Sequence, residues 1–193
     1  MTPDEIRQFI QQGEWTSIAV ELRPSVQKTP AGAPQPFYCT RLFKYSAPDR
    51  FECTVMNYAD PNGKASLVKI HIRGHNLWQG EHPIAKGAYK LDYVADEAYE
   101  VTPVHQGFAD AANKFPANDL NHWQIGVTQD VRRKSFPLFG LTEGDIYVDY
   151  DLICIHEGML FNGSKNVDGR AFDKPENRPT NLQIPLIRRS RVD

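Results

Sequence analysis

At 193 residues the chain fits one domain able to bury roughly 70% of its unfolded surface, and a net charge of −2 from 22 basic and 24 acidic residues gives no whole-molecule field for nucleic acid or an anionic membrane. No apolar run approaches the ~20 residues of a membrane span, and the first residues lack the cationic start and apolar core of a secretion signal. Three cysteines, Cys39, Cys53 and Cys154, form no disulfide framework, so the expectation is a cytoplasmic protein with reduced thiols and no integral membrane segment.

Thr2-Pro3-Asp4-Glu5 reads as a helix start: Thr2 caps, Pro3 suits the first helical position, and Glu5 completes a capping box. Ile6, Phe9 and Ile10 make a short apolar face that Gly13 stops. So short a helix needs something to pack on, and the open end of a barrel is a natural place.

From Trp15 to Arg23 the residues alternate, with Ile18, Val20 and Leu22 on one side and Trp15, Ser17, Ala19, Glu21 and Arg23 on the other. Pro24 is expected to end this strand, and SVQKTPAGAPQP after it to be a mobile loop. Phe37 to Tyr45 and Phe51 to Tyr58 read as a hairpin around Ala47-Pro48-Asp49; Cys39 and Cys53 are read as thiols packed in the sheet, the alternative being that they face each other across the hairpin.

The clearest element runs from Pro61 to Tyr93. It opens on Asn62-Gly63, a pair that tolerates a two-residue turn, then alternates from Leu67 to Arg73 and is expected to stop at Gly74. Val68, Ile70 and Ile72 share one face; Lys69, His71 and Arg73 share the other. Tyr89, Leu91 and Tyr93 resume the alternation in a second strand, and Ala98 to His105 continue the sheet.

Phe108 to Lys114 changes to helical spacing and ends at Pro116, with a further helical turn expected at Asn118. Ile125 to Arg132 returns to strand, and Phe136 to Gly140 turns. Ile146 to His156 is a strong strand, Met159 to Asn162 its partner, and Leu182 to Ile187 the last strand. Arg188-Arg189-Ser190-Arg191 is read as a solvated basic tail. Some eight or more antiparallel strands point to a single closed, mainly β barrel: helix 1–13, barrel 14–187, tail 188–193. Eight strands leave an interior wide enough for side chains or one small ligand.

No P-loop, dinucleotide fingerprint, nucleophile elbow or H-E-x-x-H motif is present, so no cofactor is implied. Histidines are scattered; His71 and His75 share a strand face, yet no third metal ligand can be named. If the Trp15 face of the first strand lies inside, Ser17, Glu21 and Arg23 enter the lumen, and the same sense places Arg41, His71 and Arg73 beside them. Surplus guanidinium charge there calls for a carboxylate or phosphate. The alternative is a structural Glu21–Arg23 ion pair at a barrel end, with Arg41 and Arg73 outside. Tyr45 and Trp78 complete the candidate ligand-binding set. The aromatics Trp15, Trp78, Trp123, Tyr89 and Tyr93 are weighed as core packing against ligand contact.

Marks spread along nearly the whole chain carry a resemblance: Trp15-x-Ser17, Glu21-x-Arg23-Pro24, Ile70-x-Ile72-Arg73-Gly74, Trp78 and Gly87, then Trp123 and Gln129-Asp130-Val131. Asp151-Leu152, Gly158-x-Leu160, Asp168-Gly169, Arg178-Pro179 and Pro185-Leu186-x-Arg188 follow in order. The chain resembles a bacterial-type member of the adenomatosis polyposis coli down-regulated domain family, known from cell-surface Wnt inhibitors. That resemblance implies a calycin-like barrel with a hydrophobic cavity for a lipid. The few cysteines, and the lack of a signal or anchor, depart from the secreted members, so Wnt antagonism is not carried over.

The reading that follows is a binding protein for a small lipid-like or amphiphilic, acidic ligand, with homo-oligomerisation left open. An enzyme, a cyclase or isomerase using His71, Glu21 or Tyr45 as acid and base, is the alternative from another class. A protein-interaction module using the outer sheet face is the third.

Overall fold

The computed structural model describes residues 1–115, 117 and 119–189. Helix α1 (Pro3–Ile10) has the expected capping box, Thr2 and Glu5 each accepting the other's backbone N–H. Strands β1 (Glu14–Ser17), β2 (Glu21–Lys28), β3 (Pro34–Ser46), β4 (Arg50–Tyr58), β5 (Ser66–Glu81) and β6 (Tyr89–Pro103) follow. Then come helix α2 (Gln106–Asn113), β7 (Gln129–Asp130), β8 (Val148–His156), β9 (Met159–Asn162) and β10 (Leu186–Arg188). The helical turn expected at Asn118 and the tail beyond Arg189 lie outside the described residues.

All pairings are antiparallel, and β1 joins β10 on one side and β3 on the other. That closes the ring β1-β10-β9-β8-β6-β5-β4-β3 into an eight-stranded antiparallel barrel. Among the described residues no helix is long and apolar enough to cross a membrane.

The register corrects several expectations. The first strand is two: Ile18 to Val20 bend between β1 and β2, so β1 can take β10 as a neighbour while β2 pairs with β3 alone. Pro24 therefore lies within β2, opposite Pro36, where its missing N–H costs no ladder bond. The proline-rich stretch beyond it is the end of β2, a short turn and the start of β3. Gly74 does not stop β5. It sits where a Cβ would come within 1.8 Å of the Val94 carbonyl oxygen, so glycine lets a bulge of β6 press against the strand. Tyr89 to Pro103 is one strand rather than two, and only Gln129 and Asp130 of the 125–132 stretch pair as strand. Cys39 lies opposite Asn57 and Cys53 opposite Phe43, so they do not face one another, and all three thiols are free and buried.

Helix α1 closes one end. Ile6 and Ile10 bury against Trp15, Phe43, Tyr45, Phe51, Leu91, Tyr93, Ile153, Leu160 and Leu186 in one cluster. Trp15 is 0% exposed, and its indole N–H donates to the Ile10 carbonyl at 2.9 Å. Towards the other end β6 parts from β8 beyond the Val94–Val148 pair. The excursion between the two strands packs α2, Trp123 and Phe136 onto Val68, Ile70, Tyr99 and Val101 as a second cluster.

Candidate functional site

The inward faces follow from the pairing. Trp15 lies opposite Phe43, Glu21 opposite Cys39, and Arg41 opposite Val55, which in turn faces Ile70. The Trp15 face of the first strand is thus the luminal one. Its charged residues go in, while Ile18 and Leu22 stay 53% and 65% exposed on the outer wall.

At the centre Glu21 accepts from every side. The Ser17 hydroxyl donates to its Oε1 at 2.6 Å and Arg41 Nε to the same oxygen at 3.0 Å. Arg23 Nε and Nη2 donate to Oε2 at 3.0 and 2.9 Å. Ser17 also accepts the Arg41 backbone N–H at 2.8 Å, which fixes β1 to β3. Burial alone would raise the Glu21 carboxyl, but the charges of Arg41 and Arg23, with the hydrogen bonds, outweigh it and hold the group below its ordinary range.

The network runs on into β9 and the segment before β10. Arg41 Nη1 donates to Asn162 Oδ1 at 3.0 Å, and Asn162 Nδ2 to the Tyr93 hydroxyl at 3.2 Å. Tyr93 and Tyr45 share a hydrogen bond of 2.9 Å. Arg23 Nη2 also contacts the Gln183 side-chain oxygen. Two donors are left over: among the described residues, Arg41 Nη2 and Gln183 Nε2 are buried without a partner. Each such donor costs about 1–3 kcal/mol unless an acceptor meets it.

Three more charged groups border this layer. Asp149 and Asp151 occupy successive inward positions of β8, opposite Tyr93 and Leu91. Burial raises the Asp149 carboxyl against the opposing charges of Lys165, Arg23 and Arg41. Burial, with the charge of Asp149, pushes Asp151 up to about 7, although its Oδ1 accepts the Leu152 and Gly163 amides at 2.7 and 2.8 Å. Lys165 is pulled below its usual range by burial, with Asp149 opposing, and its ammonium stands over the Phe37 and Phe172 rings.

A cavity of about 280 Å³ opens onto the layer between β2 and the chain at Ser164, Lys165 and Leu182 to Ile184, lined by Glu21, Arg23 and Gln183. The opening exists because β2 turned away from β10 at the bend after β1. Gly169 (φ +78°) presses on the Ser25 backbone and holds the overlying segment against the other end of β2.

Of the candidate residues, Ser17, Glu21, Arg23 and Arg41 come together as one cluster. Tyr45 is luminal but sits deeper, among the aromatics under α1. Trp78 packs at the α1 end, its N–H on Asp49 and its ring beneath the Arg7 guanidinium, away from the cavity. His71 and Arg73 are corrected: they lie on the outer wall, because β5 keeps Val68, Ile70 and Ile72 inside and parity sends the odd positions out. There His71 stands between Glu52 and Glu100, at 3.0 and 2.9 Å, while Arg73 is exposed. The acid-base set His71, Glu21 and Tyr45 is thus divided between two sides of the wall. His75 is engaged by Asp96, and among the described residues no group of three potential ligands is arranged for a metal ion.

Sequence reasoning missed Asn162, Gln183, Lys165, Asp149 and Asp151. For the two aspartates the alternation is ambiguous: they share parity with Ile153 and Ile155 in VDYDLICIH, but the opposite face carries Val148, Leu152 and Cys154. Asn162 was legible only as the last residue of the Met159–Asn162 strand, and it is 0% exposed in the lumen. No known protein-family model matches the chain.

Proposed function

We propose that this chain is a binding barrel for a small amphiphilic molecule with an acidic head group. The observation that carries it is Arg41: a guanidinium only 7% exposed, in a cluster of two arginines and one glutamate, with one nitrogen lacking any acceptor. A purely structural ion network would match its donors, since an orphaned charged donor is costly. A carboxylate entering the cavity beside Arg23 and Gln183 supplies an acceptor for the unmet Gln183 Nε2 next to the Arg23 guanidinium.

The dimensions narrow the ligand. The α1 half of the lumen is filled by the protein's own aromatic side chains, and the cavity of about 280 Å³ lies near the lower limit of small-molecule pockets, about 300–1,000 Å³. It suits a head group and a short apolar part rather than a long acyl chain. Leu22 and Ile184, both exposed at the rim, offer apolar contact worth ~0.8 kcal/mol per buried methylene. A calycin-like barrel also agrees with membership of the adenomatosis polyposis coli down-regulated domain family, which is carried as part of the same proposal.

Octanoate and octanol differ in the head group alone. Calorimetric titration is expected to show octanoate binding at least tenfold tighter, with the preference lost in Arg23→Gln. Equal affinities would remove the acidic head from the proposal, and no binding of either would remove the proposal itself.

A further inference from the structure

Charge counting in the luminal layer gives a result beyond affinity. Arg23, Arg41 and Lys165 stand against Glu21, Asp149 and Asp151, three cations and three carboxylates, so the fully ionised layer is already neutral. An incoming carboxylate makes the anions four. In a buried site an uncompensated charge is not tolerated, and the group that can relieve it by protonation does so.

From the geometry we infer that the barrel takes up one proton together with each acidic ligand, and that the Asp149–Asp151 pair on β8 holds it. This inference rests on the acid-binding reading above. Successive inward positions on one strand put the two carboxylates on the same face, and the nearby guanidinium of Arg41 acts on both.

The other groups facing the pair are poor competitors for that proton. From β2, Glu21 is held ionised by its two arginines. From β3, β6 and the residue before β8 the phenols of Tyr45, Tyr93, Tyr99 and Tyr147 are raised by burial and stay protonated. The thiols of Cys39 and Cys53 are raised by burial in the same way. From the segments after β9 come the Lys165 ammonium, the exposed Asp173, and Arg178, whose Nη1 donates to the Asp151 carbonyl oxygen at 2.6 Å while its charge is matched by Asp92 of β6. His71 and His75 are on the outer wall, His82 and His105 accept backbone N–H groups in turns, His122 is beside Asn113, and His156 is exposed. What remains is the aspartate pair: Asp151, pushed up to about 7 by burial and the charge of Asp149, with Asp149 raised by burial beside it.

The balance is simple: ligand carboxylate plus one proton from solvent gives a bound carboxylate beside a neutral aspartic acid, with no bond to carbon changed. Octanoate titrated into the intact protein from pH 6 to 9 is expected to weaken about tenfold per pH unit above about 7.5, as linkage of one proton requires. At pH 8, titrations in phosphate and in Tris should differ in heat by the uptake of about one proton per octanoate. Asp151→Asn keeps an acceptor for the Leu152 and Gly163 amides, and it should bind octanoate at pH 9 about as well as the unaltered protein does at pH 6. Binding with one affinity from pH 6 to 9 and no buffer-dependent heat would overturn the inference while leaving the acid-binding reading standing. Absence of octanoate binding throughout that range would overturn both. A slope that survives in both Asp149→Asn and Asp151→Asn would also overturn it. If neither variant folds, the buffer-dependent heat of the unaltered protein decides.

Discussion

The two halves of this lumen are built from the same strands and do opposite things. Under α1, Trp15, Phe43, Tyr45, Phe51 and Tyr93 fill the interior with rings: Phe51 and Tyr93 meet edge to face at 5.0 Å, and Phe43 and Tyr45 stack at 5.8 Å. A few residues further along the same strands, Ser17, Glu21, Arg41 and Asn162 replace rings with a hydrogen-bonded charge layer, two donors of which are unmet. The aromatic half supplies stability and rigidity. The polar half spends some of both on holding charges where a ligand can reach them, as binding sites commonly do.

The largest expected effect is in the filled half. Trp15→Ala removes a fully buried indole and its bond to Ile10, and should destabilise by about 4 kcal/mol in urea unfolding. In the polar half Glu21→Gln leaves Arg23 and Arg41 without their carboxylate, at a cost of about 3 kcal/mol. Here the halves should part company: octanoate ought to recover some of the Glu21→Gln loss by replacing the missing charge, and none of the Trp15→Ala loss.

A smaller, pH-dependent effect comes from Asp151. Its folded-state carboxyl is raised above the ordinary 3.8, so between about pH 4 and 7 the folded protein binds more protons than the unfolded chain, and stability falls as pH rises through that window. Asp151→Asn should lack that fall, and at pH 8 should gain about 1–2 kcal/mol relative to the unaltered protein, read by thermal unfolding across pH. Smallest of all is His71→Ala on the outer wall, where stability should move by no more than about 0.5 kcal/mol and octanoate affinity not at all.

Much of the site was legible in residues 15–23, because a strand that alternates apolar and charged groups has to put one set inside. The unusual feature is which set. Ile18 and Leu22 face outward and Glu21 and Arg23 inward, the reverse of the common order, since Trp15 fixes the parity and the indole cannot be left wet. On β5 the same period gave His71 and Arg73 the wrong side: parity within a strand is local, but the relation between strands depends on register. Asp149 and Asp151 escaped notice because both faces of β8 carry apolar residues, so alternation there does not say which is buried.

Local chemistry in the sequence determined the capped helix, the strand segments, the hairpin at Ala47 to Asp49 and hence a barrel-forming pattern, because capping, turn formation and period-two alternation act over a few residues. Tertiary structure decided the rest. The bend after β1, the closure of β1 onto both β3 and β10, and the close approach that requires glycine at position 74 are contacts between residues far apart in the chain. Those long-range pairings set which side of each strand is the lumen, and so gathered Glu21, Arg23, Arg41, Asp151 and Asn162 into one layer.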